Sequence, residues 1–389
     1  MLEQTLLQSG RPGYAPLFGT DLTMPVLDPS PRPSASVFPH SYAAAQHQWR
    51  DTIRREPLTT VDRPFVLDGY SPEGAPLVTD SNWFGDTKAS RVLVLIGGTH
   101  GIEGFAGTAV LCDTLVRLRE PLLDDLAILC IHALNAWGYA WHRRCDAQGI
   151  DLNRNFIDFS RPLPDNPGYS ALRAALFEEE RARREAVIES YRQQHGQTAL
   201  EIAISGGQYV DPAGPFYGGA GPAQGRRIVE MLMHDYCLAQ RRLAVIDVHT
   251  GLGPYGYGEI ICDHAPDSDG AATARGWYGD ECTLPALGTS SSVPKVGLID
   301  YAWHDIMQPG SCFITLEFGT QPTNSMFEVL LRDHRFRARH GIQPLSHPGY
   351  PALVADMLAH FCPDDDEWRL QVLLRARDVI DAAVAGLLQ

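Results

Sequence analysis

The sequence predicts an α/β fold with a mostly parallel, mixed central sheet flanked by helices. Three observations carry that expectation. Continuous apolar runs such as VLVLI at residues 92–96 suit strands covered on both faces. Between them lie stretches whose apolar residues recur every three or four positions, the period of a helix. Buried strands that alternate with helices build a largely parallel sheet. The expected organisation is a Pro-rich arm over residues 1–37 and a single domain over residues 38–389, with no repeat and no linker inside it.

Each element follows in order. The arm carries Pro12, Pro16, Pro25, Pro29, Pro31 and Pro33, a composition that packs as extended chain or stays mobile. Residues 41–55 turn helical, with Tyr42, Ala45, Trp49 and Ile53 on one face. Residues 65–67 and 77–83 form an opening hairpin. The strand at 92–96 breaks at Gly97 and Gly98, and a helix follows over residues 103–119. A second buried strand spans 126–133. A polar helix fills 171–194 and another 224–240, followed by the buried strand 243–248. Short strands at 259–262 and 311–318 precede three helices at 324–340, 350–360 and 366–388. The last presents Trp368, Val372, Val379, Ala383 and Leu387 along one apolar face.

Composition narrows the function. With 32 Lys+Arg against 47 Asp+Glu in 389 residues, the net charge is −15. That balance disfavours nucleic acid and anionic membrane surfaces as partners, because both need clustered cations. At 44% hydrophobic residues the chain has ample material for a core. No apolar run reaches the roughly 18 residues that span a bilayer. The N-terminus lacks a basic start followed by an apolar stretch, so the expected compartment is the cytoplasm. None of the eight cysteines is spaced C-x-x-C, which suits reduced and mostly buried thiols.

The chemistry is expected beyond the carboxyl ends of strands, where α/β sheets hold their sites. The first strand run ends in GGTHGIEG, which puts His100 and Glu103 in a glycine-rich turn before a helix. His264 and Asp267 share that spacing, so the position, not the pair, is informative. The strand at 243–248 runs into His249. Two His and a Glu with an open fourth position form a catalytic zinc arrangement. Arg144, Asn153 and Arg154 fall in the loop after the strand at 126–133, either as a solvated turn or as a carboxylate grip. Glu317 lies in the apolar run FITLEFG, either at a half-exposed edge or buried for a purpose such as general base catalysis. GLGPYG at residues 251–256 formally matches a dinucleotide turn, but Pro254 and the strand-like GEIIC oppose a helix start there. No G-x-S-x-G elbow or phosphate loop occurs.

Taken together, HGIEG, GIDLNRNF, IDVHTGLG and TLEFG in that order resemble the zinc carboxypeptidase superfamily typified by carboxypeptidase A. The closer resemblance is to a bacterial branch catalogued mainly as a domain of unknown function. It runs from Phe38 to the C-terminus and takes in FYGG at 216–219 and DDDEW at 364–368. The resemblance implies a zinc carboxypeptidase-like fold with one Zn²⁺ per chain, held by His100, Glu103 and His249. It implies Glu317 as general base and Arg144 as the group that holds the oxyanion. Asn153 and Arg154 would grip a free carboxylate, and Asp151 would orient His100. Arg143 adjoins Arg144 and is grouped with the substrate-binding residues, with the register of that pair open. The substrate-capping tyrosine stays open among Tyr255, Tyr257 and Tyr301. The implied substrate is a small peptide or an N-acyl amino acid with a free carboxylate. The expected activity is that of a metallocarboxypeptidase. The alternatives are an N-acyl-amino-acid amidohydrolase of the aspartoacylase or desuccinylase kind, and an inactive binding protein on the same scaffold.

Overall fold

The computed structural model describes residues 26–55, 59–118, 125–341 and 345–389. Eight strands form one mixed sheet: β1 (Thr59–Tyr70), β2 (Pro76–Phe84), β3 (Arg91–Gly97), β4 (Leu126–His132), β5 (Arg242–Gly251), β6 (Gly258–Ile261), β7 (Cys282–Thr283) and β8 (Cys312–Gly319). Their order is β1-β2-β4-β3-β5-β8-β6-β7. The central strands β4, β3, β5 and β8 run parallel, as the apolar runs predict. The β1–β2 hairpin adds antiparallel to β4, and β6 adds antiparallel to β8.

Twelve helices are found among the described residues. They are α1 (Tyr42–Arg55), α2 (Gly104–Leu115), α3 (Ala136–Ala140), α4 (Pro167–Leu176), α5 (Arg181–His195), α6 (Gln197–Ser205), α7 (Gln224–Asp235), α8 (Asp269–Tyr278), α9 (Asp300–His304), α10 (Thr323–His340), α11 (Tyr350–Phe361) and α12 (Asp366–Leu388). Helices α2, α8 and α12 pack together across one face of the central strands. Every residue of α2 is buried, because it is enclosed between the sheet and α12. No described helix is long and apolar enough to cross a membrane. All eight cysteines are free, and only Cys237 is exposed.

Three elements differ from the sequence reading. The single polar helix expected over 171–194 is two, α4 and α5, and α6 was not anticipated at all. Glu178, Glu179 and Glu180 explain the break. Three carboxylates are unfavourable at the negative C-terminal end of α4 and favourable just before the N-terminus of α5. The expected helix 224–240 stops at Asp235, where Cys237 takes a left-handed φ of 50° and a single 3₁₀ turn follows. Strand β5 continues past residue 248 to Gly251, so His249 is a strand residue with a fixed direction. After GLGPYG the chain enters β6, not a helix.

Residues 1–25 of the Pro-rich arm lie outside the described residues. The remainder packs against the domain, ending in a 3₁₀ turn at Ala35–Val37: Leu27 bridges Leu118, Asp28 N–H donates to Arg117 O at 2.6 Å, and Arg377 Nη1 donates to Pro31 O at 2.7 Å.

Under α1, Trp49 is fully buried and stacks on His132 at 5.0 Å. His132 Nε2 meets Thr108 Oγ1 at 2.9 Å, and among the described residues no carboxylate contacts the ring. Burial, with Arg50 second, lowers its pKa to about 3. His264 and His304, stacked at 3.6 Å, are lowered by burial to about 4 and about 3. Unfolding frees these rings to take up protons near pH 6.5. Their contribution is therefore complete above pH 6.5 and is lost as pH falls toward the folded values. The melting temperature should drop between pH 7 and pH 4. His132→Gln should flatten that dependence by up to one proton, and an unchanged slope would remove His132 as a cause.

Candidate metal centre

The first three site residues come from two neighbouring strands. Strand β3 ends at Gly97, and Gly98 at φ 80° turns the chain outward. A 3₁₀ turn over Gly101–Glu103 then presents His100 and Glu103 together. Gly101 is obligatory, since a Cβ there would lie 2.0 Å from the carbonyl carbon of Gly138 in α3. The same turn is tied to the next loop, with Gly101 N–H donating to Arg144 O at 3.2 Å and Ile102 N–H to Arg143 O at 2.8 Å. Strand β5 pairs with β3 in parallel and delivers His249 to the same edge.

The three side chains converge and are buried. His249 Nδ1 lies 3.0 Å from His100 Nδ1 and 2.9 Å from Glu103 Oε2, and His100 Nδ1 lies 2.9 Å from Glu103 Oε1. The far side of each ring is fixed. His100 Nε2 lies 3.1 Å from Asp151 Oδ1, and His249 Nε2 lies 2.7 Å from Asp247 Oδ2. An ionised carboxylate only accepts, so each Nε2 carries the proton and each Nδ1 points a lone pair at the other. Two lone pairs and a carboxylate at about 3 Å need a cation between them. Burial works to lower the pKa of His249, but the Asp247 and Glu103 carboxylates hold it well above the usual range.

The donor set also fits zinc. Two imidazoles and one carboxylate are a catalytic zinc set, and ligands at about 2.0–2.1 Å from a tetrahedral ion sit about 3.3 Å from one another. The observed separations are close to that. Carboxylates behind both histidines are the outer support such ligands need. Asp247 was missed in the sequence. Its signal was available in IDVH: two residues before His249 on one strand, it shares the same face.

Glu317 stands beside this cluster. Strands β5 and β8 pair His249 with Glu317, and β8 is interior, which settles the edge-or-buried question for that residue. Its Oε1 accepts the Leu252 N–H at 3.0 Å. Burial first, then the nearby Glu103 carboxylate, raises its pKa to about 7. A cavity opens here, lined by His100, His249, Glu317, Arg144, Asn153 and Arg154. Glu103 and Asp151 support it from behind.

The loop after α3 also resolves. Arg144 Nε donates to Asp151 Oδ2 at 2.8 Å, Nη1 approaches Glu103 Oε1 at 3.4 Å, and the guanidinium lies over Phe216 at 5.1 Å. Asp151 is thus a hub: it also accepts the Asn153 N–H at 3.0 Å. Asn153 Oδ1 accepts the Ile299 N–H at 2.8 Å, which leaves its Nδ2 as the donor for the cavity. Arg154 is fully buried and donates to Ser205 O at 3.1 and 2.8 Å and to Asn153 O. Each terminal nitrogen keeps a second N–H.

Arg143 is the correction. It was grouped with the substrate-binding residues, but its Nε donates to Asp333 Oδ2 at 2.7 Å and it does not line the cavity. Adjacent residues in an extended loop point apart, and Asp333 holds Arg143 against α10. None of Tyr255, Tyr257 and Tyr301 lines the cavity either. Lys295 and Asp263 do line it, and neither was singled out in the sequence.

The family described as "Protein of unknown function (DUF2817)" matches residues 38–375. No curated protein matches the chain. Solved structures do. Carboxypeptidase A from Helicoverpa armigera is 13% identical over 82% of this chain and 73% of its own, with a TM-score of 0.43. A metallo-carboxypeptidase from Pseudomonas aeruginosa is 12% identical over 90% and 70%, also at 0.43. Murein-tripeptide amidase from Escherichia coli O157 is 18% identical over 84% and 99%, at 0.36.

Purified protein should bind close to one zinc per chain, and His249→Ala should lose most of it. Asp247→Asn should keep the fold while weakening zinc affinity about 10–100-fold in a chelator competition. Unchanged affinity would separate Asp247 from the centre.

Proposed function

The chain belongs to the family described as protein of unknown function (DUF2817), and for it we propose a zinc-dependent hydrolase that cleaves an amide bond next to a free carboxylate, as a carboxypeptidase of peptides. The observation that carries this reading is the alignment of Glu317 with the His100–Glu103–His249 cluster across one β5–β8 register pair, inside a cavity that also holds Arg144. A zinc ion held by those three residues supplies a Lewis acid that polarises the scissile carbonyl and acidifies water. The remaining work belongs to side chains. Glu317, raised toward neutrality by burial, accepts the proton of the attacking water and passes it to the leaving nitrogen. Arg144, oriented by Asp151, faces the developing oxyanion with a charge that needs no reorganisation. Asn153 Nδ2 and the spare N–H groups of Arg154 hold the carboxylate and so set which bond is presented.

A second hollow favours peptides over small N-acyl amino acids. It runs between α5, α6 and α10 and meets the catalytic cavity at Glu201 and Phe327. It gives room beside the cavity for a chain longer than a small N-acyl amino acid. An inactive binding role is disfavoured because the ligand set, the base and Arg144 are all in place together. We place the protein in a reducing compartment such as the cytoplasm on the strength of its eight unpaired thiols.

Glu317→Gln is the direct test. It should retain zinc at the wild-type level and lose at least about 100-fold in kcat on blocked dipeptides, the scale of a general base. Near-normal turnover would remove Glu317 from the mechanism. Peptides cleaved no better than N-acyl amino acids would overturn the peptidase assignment.

A further inference from the structure

The cavity holds a cation that the reaction above does not use. We propose that Lys295 binds a second carboxylate, so that the released residue is a dicarboxylic amino acid of the aspartate or glutamate kind; this deepens the amide-hydrolase reading and rests on it.

The argument starts from composition. Of the 32 basic residues only Lys88 and Lys295 are lysine. Lys88 is exposed, whereas Lys295 lines the catalytic cavity. The chain otherwise uses arginine for positive charge, so Lys295 is not one member of a scattered surface population. An ammonium is a compact point charge, where a guanidinium is a broad fork.

Its surroundings point to an anion. Lys295 Nζ donates to Ser292 Oγ and to Val293 O at 3.0 Å, and a third N–H remains. Among the described residues no carboxylate lies within 4.0 Å of it. Arg154 is in the same position, with backbone carbonyls as its partners. Arg144 differs, because Asp151 and Glu103 already balance it. Two cations without a close counter-ion therefore share one wall. Charges kept this way in a confined space gain most from an arriving anion. One carboxylate satisfies Arg154 and Asn153; a second satisfies Lys295. Burial, then Arg154, lowers the Lys295 pKa to about 8, which leaves it charged at neutral pH.

The position is built, not incidental. Tyr301 Oη donates to Lys295 O at 2.8 Å, Val296 N–H to Gly206 O at 2.9 Å, and Phe156 N–H to Gly297 O at 3.1 Å. The residues that follow the lysine are thus bonded to Phe156, two positions after Arg154, and to Gly206, next to the Ser205 carbonyl that Arg154 donates to, which ties the two cations to one frame. Asp263 stands on the same wall, beyond ion-pair distance of both. It makes the rival explicit: if Asp263 dominates, a basic side chain is preferred.

The test uses the zinc-loaded full chain and two readouts. Calorimetry compares L-glutamate, L-norvaline and L-lysine; kinetics compare N-acetylated dipeptides ending in the same three residues. Glutamate should bind at least about 10-fold more tightly than norvaline, the scale of one charge-assisted contact. Lys295→Met should bring that ratio close to one, and Lys295→Arg should restore part of it. A wild-type ratio near one, lysine as the best ligand, or a ratio that survives Lys295→Met would each overturn the proposal. The two readings fail separately. Peptides left intact while glutamate binding still depends on Lys295 would refute the hydrolase and support the anion site. Cleavage without preference would do the reverse.

Discussion

Everything at this site depends on one electrostatic constraint: three acceptors, His100 Nδ1, His249 Nδ1 and a Glu103 oxygen, are forced to within about 3 Å of one another inside the protein. Without a cation the arrangement repels itself. The fold makes it unavoidable, because parallel strands β3 and β5 place their carboxyl ends side by side. The 3₁₀ turn after β3 then sets Glu103 against His249 of β5. Asp151 and Asp247 add to the demand by taking the other nitrogen of each ring. A centre of this design stays committed to binding positive charge.

Carboxylate–arginine contacts spread that commitment outward. Asp151 touches His100, Arg144 and the Asn153 backbone. Through it, the cluster, the Arg144 guanidinium and the loop that carries Asn153 share one anchor. A buried aspartate with this many donors is stabilised as an anion despite burial, and Arg144 and His100 hold its pKa well below the usual carboxylate range. The neighbouring Arg143 takes a different anchor, Asp333, which also receives Arg337 Nε at 2.7 Å. That second pair fastens the same loop to α10. Consecutive arginines thus do opposite work, one facing chemistry and one facing structure.

The net charge of −15 describes the body, not the site. The cavity wall gathers Arg144, Arg154 and Lys295 around a cation-binding cluster. An anionic substrate terminus is attracted to such a concavity even on an acidic protein, because the local field follows the nearest charges.

Much of this was legible in the chain itself. Apolar runs located the central strands, since a strand buried on both faces must be apolar throughout. Glycines and histidines at their ends located His100, Glu103 and His249. What the linear pattern could not give was direction. Arg143 and Arg144 are chemically identical, and only the packing of α10 against the loop assigns one to Asp333 and the other to the cavity. Lys295 sits in a loop without periodicity, far in sequence from every motif, so nothing local marks it. The break between α4 and α5 was readable from three glutamates, but α6 was not, because its short apolar run TALEIAI has no period that separates helix from strand. The sequence by itself determined which residue types would meet at the strand ends. Which atoms face one another is a matter of tertiary structure, because the contacts among residues 100, 103, 151 and 249, and the cavity wall they share with 295 and 317, exist only once the sheet has aligned its strands.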